Sequence, residues 1–161
     1  MLLFSLAATA HQKGLTNAIV MIKIKGIANR RSYHSVEETL NILQAYLQEQ
    51  GATIYARIDQ RAEAAKVGLK LSPLQVILFG NPKRGVPAMQ QNPTVALDLP
   101  LKIIAWEDQK QKVWLTYNKE GYIRKRYALP KTLVSPLNIE LMLDAALRLK
   151  NQGTQAKNET R

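Results

Sequence analysis

The chain has 161 residues, with 23 Lys plus Arg against 12 Asp plus Glu, a formal net charge of +11, and 46% hydrophobic side chains. That apolar share is too high for a disordered polybasic tail, and no apolar run reaches the roughly 18–20 residues of a membrane-crossing helix. The absence of cysteine excludes disulfides, thiolate metal sites, thiol nucleophiles and iron–sulfur clusters, and two histidines leave little for an all-histidine metal site.

Residues 1–18 read as a leader. Met1 to Ala10 is a short apolar run ending in Ala8-Thr9-Ala10, a small-x-small pattern, but no basic residue precedes Lys13 as a secretory signal requires. Three readings stay open: an upstream start codon on a cytoplasmic protein, a short export signal over residues 1–10, or a structural role for the segment. Residues 19–150 are expected to form one domain, because no Gly/Ser-rich linker divides them. The last residues, 151–161, carry no large apolar side chain and read as a solvated tail.

Within the domain, Ile19 to Ala28 alternates Val20, Ile22 and Ile24 against Lys23 and Lys25, the pattern of a half-buried strand. Ser35-Val36-Glu37-Glu38 is a capping box opening a helix. Val36, Leu40, Leu43 and Leu47 give that helix one apolar stripe, and Gly51 ends it. A second strand is expected over Ala52 to Asp59, with Ile54, Ala56 and Ile58 on one face and Thr53, Tyr55 and Arg57 on the other. Arg61 to Lys66 suits a short helical turn. Leu74 to Phe79 is apolar on both faces, as an interior strand would be. The segment Gly80 to Gly85 reads as a sharp break, with Pro87 opening a short helix through Gln91.

Leu99 to Glu107 and Lys112 to Asn118 read as a hairpin. A short helix is expected over Lys119 to Tyr127, and Ser135-Pro136 would start a final helix with its stripe at Ile139, Met142, Leu143, Ala146 and Leu149. The order implies an α+β two-layer sandwich: a mainly antiparallel sheet of about five strands with two long helices on one face.

Several spaced blocks carry a family resemblance: His34-Ser35-Val36-Glu37-Glu38-Thr39, Ala56-Arg57-Ile58-Asp59, Phe79-Gly80-Asn81-Pro82-Lys83 with Gly85, Pro87 and Met89, Ala96 to Lys102, Trp106-Glu107-Asp108, and Val113 to Asn118. From about Ile22 to Leu147 the chain resembles the family called domain of unknown function 302. The resemblance implies a grip similar to the TATA-box-binding protein, and no activity. Members often carry a His after the Asp of the second strand, where this chain has Gln60, so a two-histidine site is not implied.

No catalytic residue, metal site or cofactor is expected. A pocket for a small polar or anionic ligand is expected near His34, Asp59, Asn81, Lys83 and Arg84, with free backbone N–H groups of the Gly80–Gly85 loop and its two cations meeting a carboxylate or phosphate. His34 as an acid–base group and a plain tight turn at Gly80–Gly85 are the competing readings. Positive charge gathers in residues 99–131, which hold eight basic and three acidic side chains. If Leu101, Ile103 and Ala105 face the helices, Lys102, Ile104 and Trp106 line the opposite face, joined by Lys112, Trp114 and Thr116, and by Lys23, Lys25, Tyr55 and Arg57. Such a face suits a homodimer contact, a flat ligand, or nucleic acid held by stacking and phosphate contacts. A non-enzymatic, homodimeric binding domain is the leading expectation, and a basic nucleic-acid-associated protein the alternative.

Overall fold

A computed structural model describes residues 24–147, so the expected leader and tail, and Val20, Ile22 and Lys23 of the expected opening strand, lie outside the described residues. Ser35 caps α1 (Val36–Glu49): its Oγ accepts the Glu38 amide at 3.1 Å, and Val36, Thr39, Leu40, Leu43 and Leu47 form the buried stripe. Glu38 reaches back, and its carboxylate lies 3.4 Å from His34 Nδ1. Gly51, at φ +73°, turns the chain into β2 (Thr53–Asp59). Asp59 then caps α2 (Gln60–Lys66).

β3 (Leu74–Gly80) is followed at once by α3 (Pro82–Gln91), a 3-10 turn at Pro93–Leu97, and the hairpin of β4 (Leu101–Glu107) and β5 (Val113–Asn118). α4 (Glu120–Arg126), α5 (Lys131–Val134), a 3-10 turn at Ser135–Leu137 and a helix over residues 139–147 (α6) complete the described part. With β1 (Ile27–Ser32) the strands make one antiparallel sheet in the order β1-β5-β4-β3-β2.

Alternation divides the sheet as the hairpin sequence implies. Leu101, Ile103, Ala105, Val113, Leu115 and Tyr117 are buried against the helices with Leu40, Leu43 and Leu47 of α1 and Ile139, Leu143 and Ala146 of α6. Arg30, paired with Leu115 on that inward face, bonds Asp144 of α6, so both helices cover the same side. The α+β two-layer architecture is therefore as the element order implies. The opposite face carries no helix from α1 or α6.

Four local expectations are corrected. Among the described residues the first strand is Ile27–Ser32, and Ile24 to Gly26 of the expected strand instead lead into it through a turn: Gly26, at φ +89°, sits in a turn closed by the Ile27 amide on the Ile24 carbonyl. Pairing with β5, and not its own polar sequence, makes this edge strand. Second, a bulge between Ile54 and Ala56 shifts β2, pairing Ile54 with Phe79 and Ala56 with Leu78. Ile54 and Arg57 therefore face the helices while Ala56 and Ile58 face away, and Arg57 reaches Asn41 Oδ1 of α1 at 2.6 Å. Third, the expected loop at 80–85 is the start of α3, with Asn81 as its cap and Pro87 inside the helix. Asn81 captures the amides of Lys83, Arg84 and Gly85, so those three N–H groups of the expected loop are not free. Fourth, α6 follows Asn138, whose Oδ1 accepts the Leu141 amide; Ser135-Pro136 belongs to a 3-10 turn. Leu149 lies outside the described residues.

Candidate functional site

The sheet has two ends, and the register assigns each candidate to one. Ser32 pairs with Val113, Val113 with Glu107, Leu74 with Trp106 and Gln75 with Asp59, so His34 and Asp59 stand at one end. Thr53 pairs with Gly80 at the other, where Asn81, Lys83 and Arg84 follow. The expected five-residue grouping is thus divided along the length of β2 and β3.

At the first end, polar contacts hold the turn together. Ser32 Oγ and Thr39 Oγ1 share a buried hydrogen bond of 2.7 Å, and the His34 amide donates to Ser32 Oγ at 3.3 Å. Asp59 accepts from the Ala62 amide and from Gln75 Nε2. Neither His34 nor Asp59 lines either of the two principal cavities of the described residues. No cluster of three His, Asp or Glu side chains that could hold a metal ion occurs there either.

At the second end lies a pocket of about 330 Å³. The C-terminal turn of α1 supplies Tyr46, Leu47 and Gln50, and β3 ends in it at Phe79 and Gly80. The first turns of α3 contribute Arg84 and Gly85, and Leu99 to Leu101 and Pro136 to Met142 close it. Its emptiness has local causes. A Cβ on Gly85 would meet Leu99 and Met89 only at 3.8 and 3.9 Å, so the missing side chain leaves room. The bulge in β2 takes Tyr55 out of strict alternation and turns its ring onto the rim, the re-aiming that bulges commonly perform. Asn81 and Arg84 line this pocket; Lys83, adjacent in sequence, does not. Tyr46, Tyr55, Leu99 and Met142 had no collective signature in the sequence, although Tyr46 stands one position off the apolar stripe of α1.

The uncovered sheet face has the composition the alternation implies. Trp106 and Trp114 are direct cross-strand partners. Trp106 Nε1 donates to Thr116 Oγ1 at 2.8 Å and Trp114 Nε1 to Asp108 Oδ2 at 2.9 Å. That second bond, ahead of the Lys112 and Lys110 amides, holds the Asp108 carboxyl below the usual aspartate range. Arg31 lies 5.6 Å from the Trp114 ring centre. Lys102 is on this face, with Nζ donating to the Leu97 carbonyl at 3.2 Å, and Lys112 stands exposed in the loop before β5. Arg57 does not join them.

A five-stranded antiparallel sheet, two helices on one face and an apolar pocket at one sheet end define a small α+β domain. The chain belongs to the family described as domain of unknown function DUF302, whose model matches residues 28–148. A crystal structure of an uncharacterized conserved DUF302 protein from Bacillus stearothermophilus superimposes with a TM-score of 0.66 at 18% identity, covering 78% of this chain and 98% of that one, a likeness of fold. Two curated relatives, from Brucella suis and Brucella abortus, are 40% identical over 104 residues and are named fluoride-specific ion channel FluC 1. The match takes in 65% of this chain but only 41% and 38% of those proteins. No helix among the described residues is long and apolar enough to cross a membrane.

Proposed function

We propose that this chain is a non-enzymatic binding domain that takes a small molecule into the pocket between α1, α3 and the start of α6, and that it works as a homodimer. The pocket itself carries the reading: apolar side chains line a concavity of about 330 Å³ at the low end of ligand-site sizes, with a few polar groups at its edge. Its described lining residues include no nucleophile–base pair, and binding rather than turnover is the function put forward. Native mass spectrometry of protein purified from its own host tests this. A reproducible extra mass in the wild type that is lost in Gly85→Leu supports the reading; a bare wild-type chain, or an adduct that survives the substitution, overturns it.

The homodimer part rests on the uncovered face. Ala56, Ile58, Val76, Leu78, Ile104 and the two tryptophans share it, and both indole N–H groups already have acceptors within the sheet. Burying that face against an apolar surface leaves neither indole N–H without a partner. This favours a protein contact over base stacking, and nucleic acid is the competing outcome.

A second reading comes from the relatives. Since no membrane-crossing helix occurs in the described part, the channel named for those Brucella proteins would reside in the length this chain does not match. We propose that the chain acts alongside a fluoride channel as an accessory domain. Loss of fluoride tolerance in cells lacking only this chain is the expected result; unchanged tolerance rejects it.

A further inference from the structure

Five segments wall the pocket, yet they contribute a single charge. Among its lining residues there is no Asp, Glu or Lys, and Arg84 is the only ionised side chain. Four other arginines of the described part are occupied: Arg30 by Asp144, Arg31 by the Val113 carbonyl and Trp114, Arg57 by Asn41 and Gln75, and Arg126 by Asp98; Arg61 and Arg124 are exposed and do not line the pocket. Arg84 is exposed at the mouth, and its guanidinium has no hydrogen-bond, ion-pair or ring partner among the described residues. The neighbouring polar group, Asn81, is held in place: its Oδ1 accepts the Lys83 amide and its Nδ2 donates to the Gly51 carbonyl. Inside, the walls are soft and aromatic, with Met89, Met142, Phe79 and Tyr46. Such walls adapt to a flat or flexible apolar body.

We infer, resting on the pocket reading above, that the ligand is a small carboxylic acid with an apolar aryl or acyl body, and that Arg84 is the specificity-determining residue for its carboxylate. A planar guanidinium offers paired N–H donors that match a carboxylate, and a free cation beside an apolar cavity selects an amphipathic anion over a neutral analogue. The space of about 330 Å³, at the low end of ligand-site sizes, suits a small body.

Calorimetric titration with octanoate, 3-phenylpropionate and their alcohols, octanol and 3-phenylpropanol, tests this on the full chain at neutral pH. The wild type is expected to bind each acid about tenfold more tightly than its alcohol, as a charge-assisted hydrogen bond at a partly open site would give. Arg84→Met should bring the acid to the alcohol's affinity and leave the alcohol unchanged. Gly85→Leu should lose both, and Ala52→Phe fills the same space from the α1–β2 turn if the first variant does not fold. Equal binding of acid and alcohol by the wild type, or equal loss of both in Arg84→Met, overturns the carboxylate inference while the pocket stands. Binding of both that survives the filling variants, or no binding of either by the wild type, overturns the pocket reading itself.

Discussion

Asp98 lies between the 3-10 turn and β4 and ties three elements together. Its carboxylate accepts the Tyr127 hydroxyl at 2.6 Å, Asn118 Nδ2 at 3.1 Å and an Arg126 N–H at 3.3 Å. Asp98→Ala strands these donors and is expected to lower stability by about 2–4 kcal/mol in denaturant melts. Burial, then the bond to Asp98, pushes the Tyr127 phenol up to about 12 from 10.0. An unfolded chain therefore ionises this tyrosine first. Its contribution is whole below pH 10 and is lost as pH rises through about 12. The stability gap between wild type and Tyr127→Phe should narrow over that window; a gap that stays constant contradicts the assignment. Asp108 titrates in the opposite sense. Its depressed pKa contributes stability at neutral pH that is lost only as pH falls through the lowered value, and Trp114 emission should report that step in the wild type and not in Asp108→Asn.

At the scale of elements, α1 follows from its own residues. Ser35 caps it, its stripe repeats every three to four positions, and Gly51 supplies the left-handed exit. Ser35→Ala should cost about 1 kcal/mol. Leu43→Ala, in a side chain 1% exposed, should cost about 2–5 kcal/mol by chemical denaturation, whereas Leu141→Ala, at 66% exposure, should change stability by less than about 0.5 kcal/mol. β1 is the opposite case. Its sequence, Ile27 to Ser32, is polar and weakly alternating, and it is a strand because β5 offers an unpaired edge. The preceding turn is sterically closed: a Cβ on Gly26 would run into the Tyr122 ring at a backbone angle that favours glycine, so Gly26→Ala should loosen β1 and lower the melting temperature. The start of α3 escaped a sequence reading because Pro82, Gly85 and Pro87 all signal breaks. Asn81 capping and a proline at the first helical position outweigh them.

Across the whole molecule, the two sheet faces separate two tasks. One is closed by α1 and α6 and holds the core; the other shows tryptophans, aliphatic side chains and cations. If this second face joins two copies, Ile104→Glu should yield monomers in analytical ultracentrifugation with little change in fold, because Ile104 is not in the core cluster. A wild-type monomer that binds DNA with steep salt dependence, weakened by Lys102→Glu, would instead favour the nucleic-acid alternative. The charge supports neither partner alone: +11 steers any polyanion toward the chain without selecting among them.

Local chemistry in the sequence determined the elements that carry a periodic pattern and a cap: α1, β3, the β4–β5 hairpin with its inward and outward residues, and the stripe of α6. These follow from neighbours within a few positions, which is the range over which period and capping act. Tertiary structure decided the rest. His34 and Asp59 were drawn away from Asn81 and Arg84 by the antiparallel direction of β2 and β3, which fixes opposite ends for residues on either side of one strand. The bulge at Tyr55 reversed the faces of β2 beyond it, a change of one residue in register that no local pattern records. The pocket came from Tyr46, Phe79, Arg84, Leu99 and Met142, residues far apart in the chain, because a cavity is a property of what surrounds a space and not of any one segment.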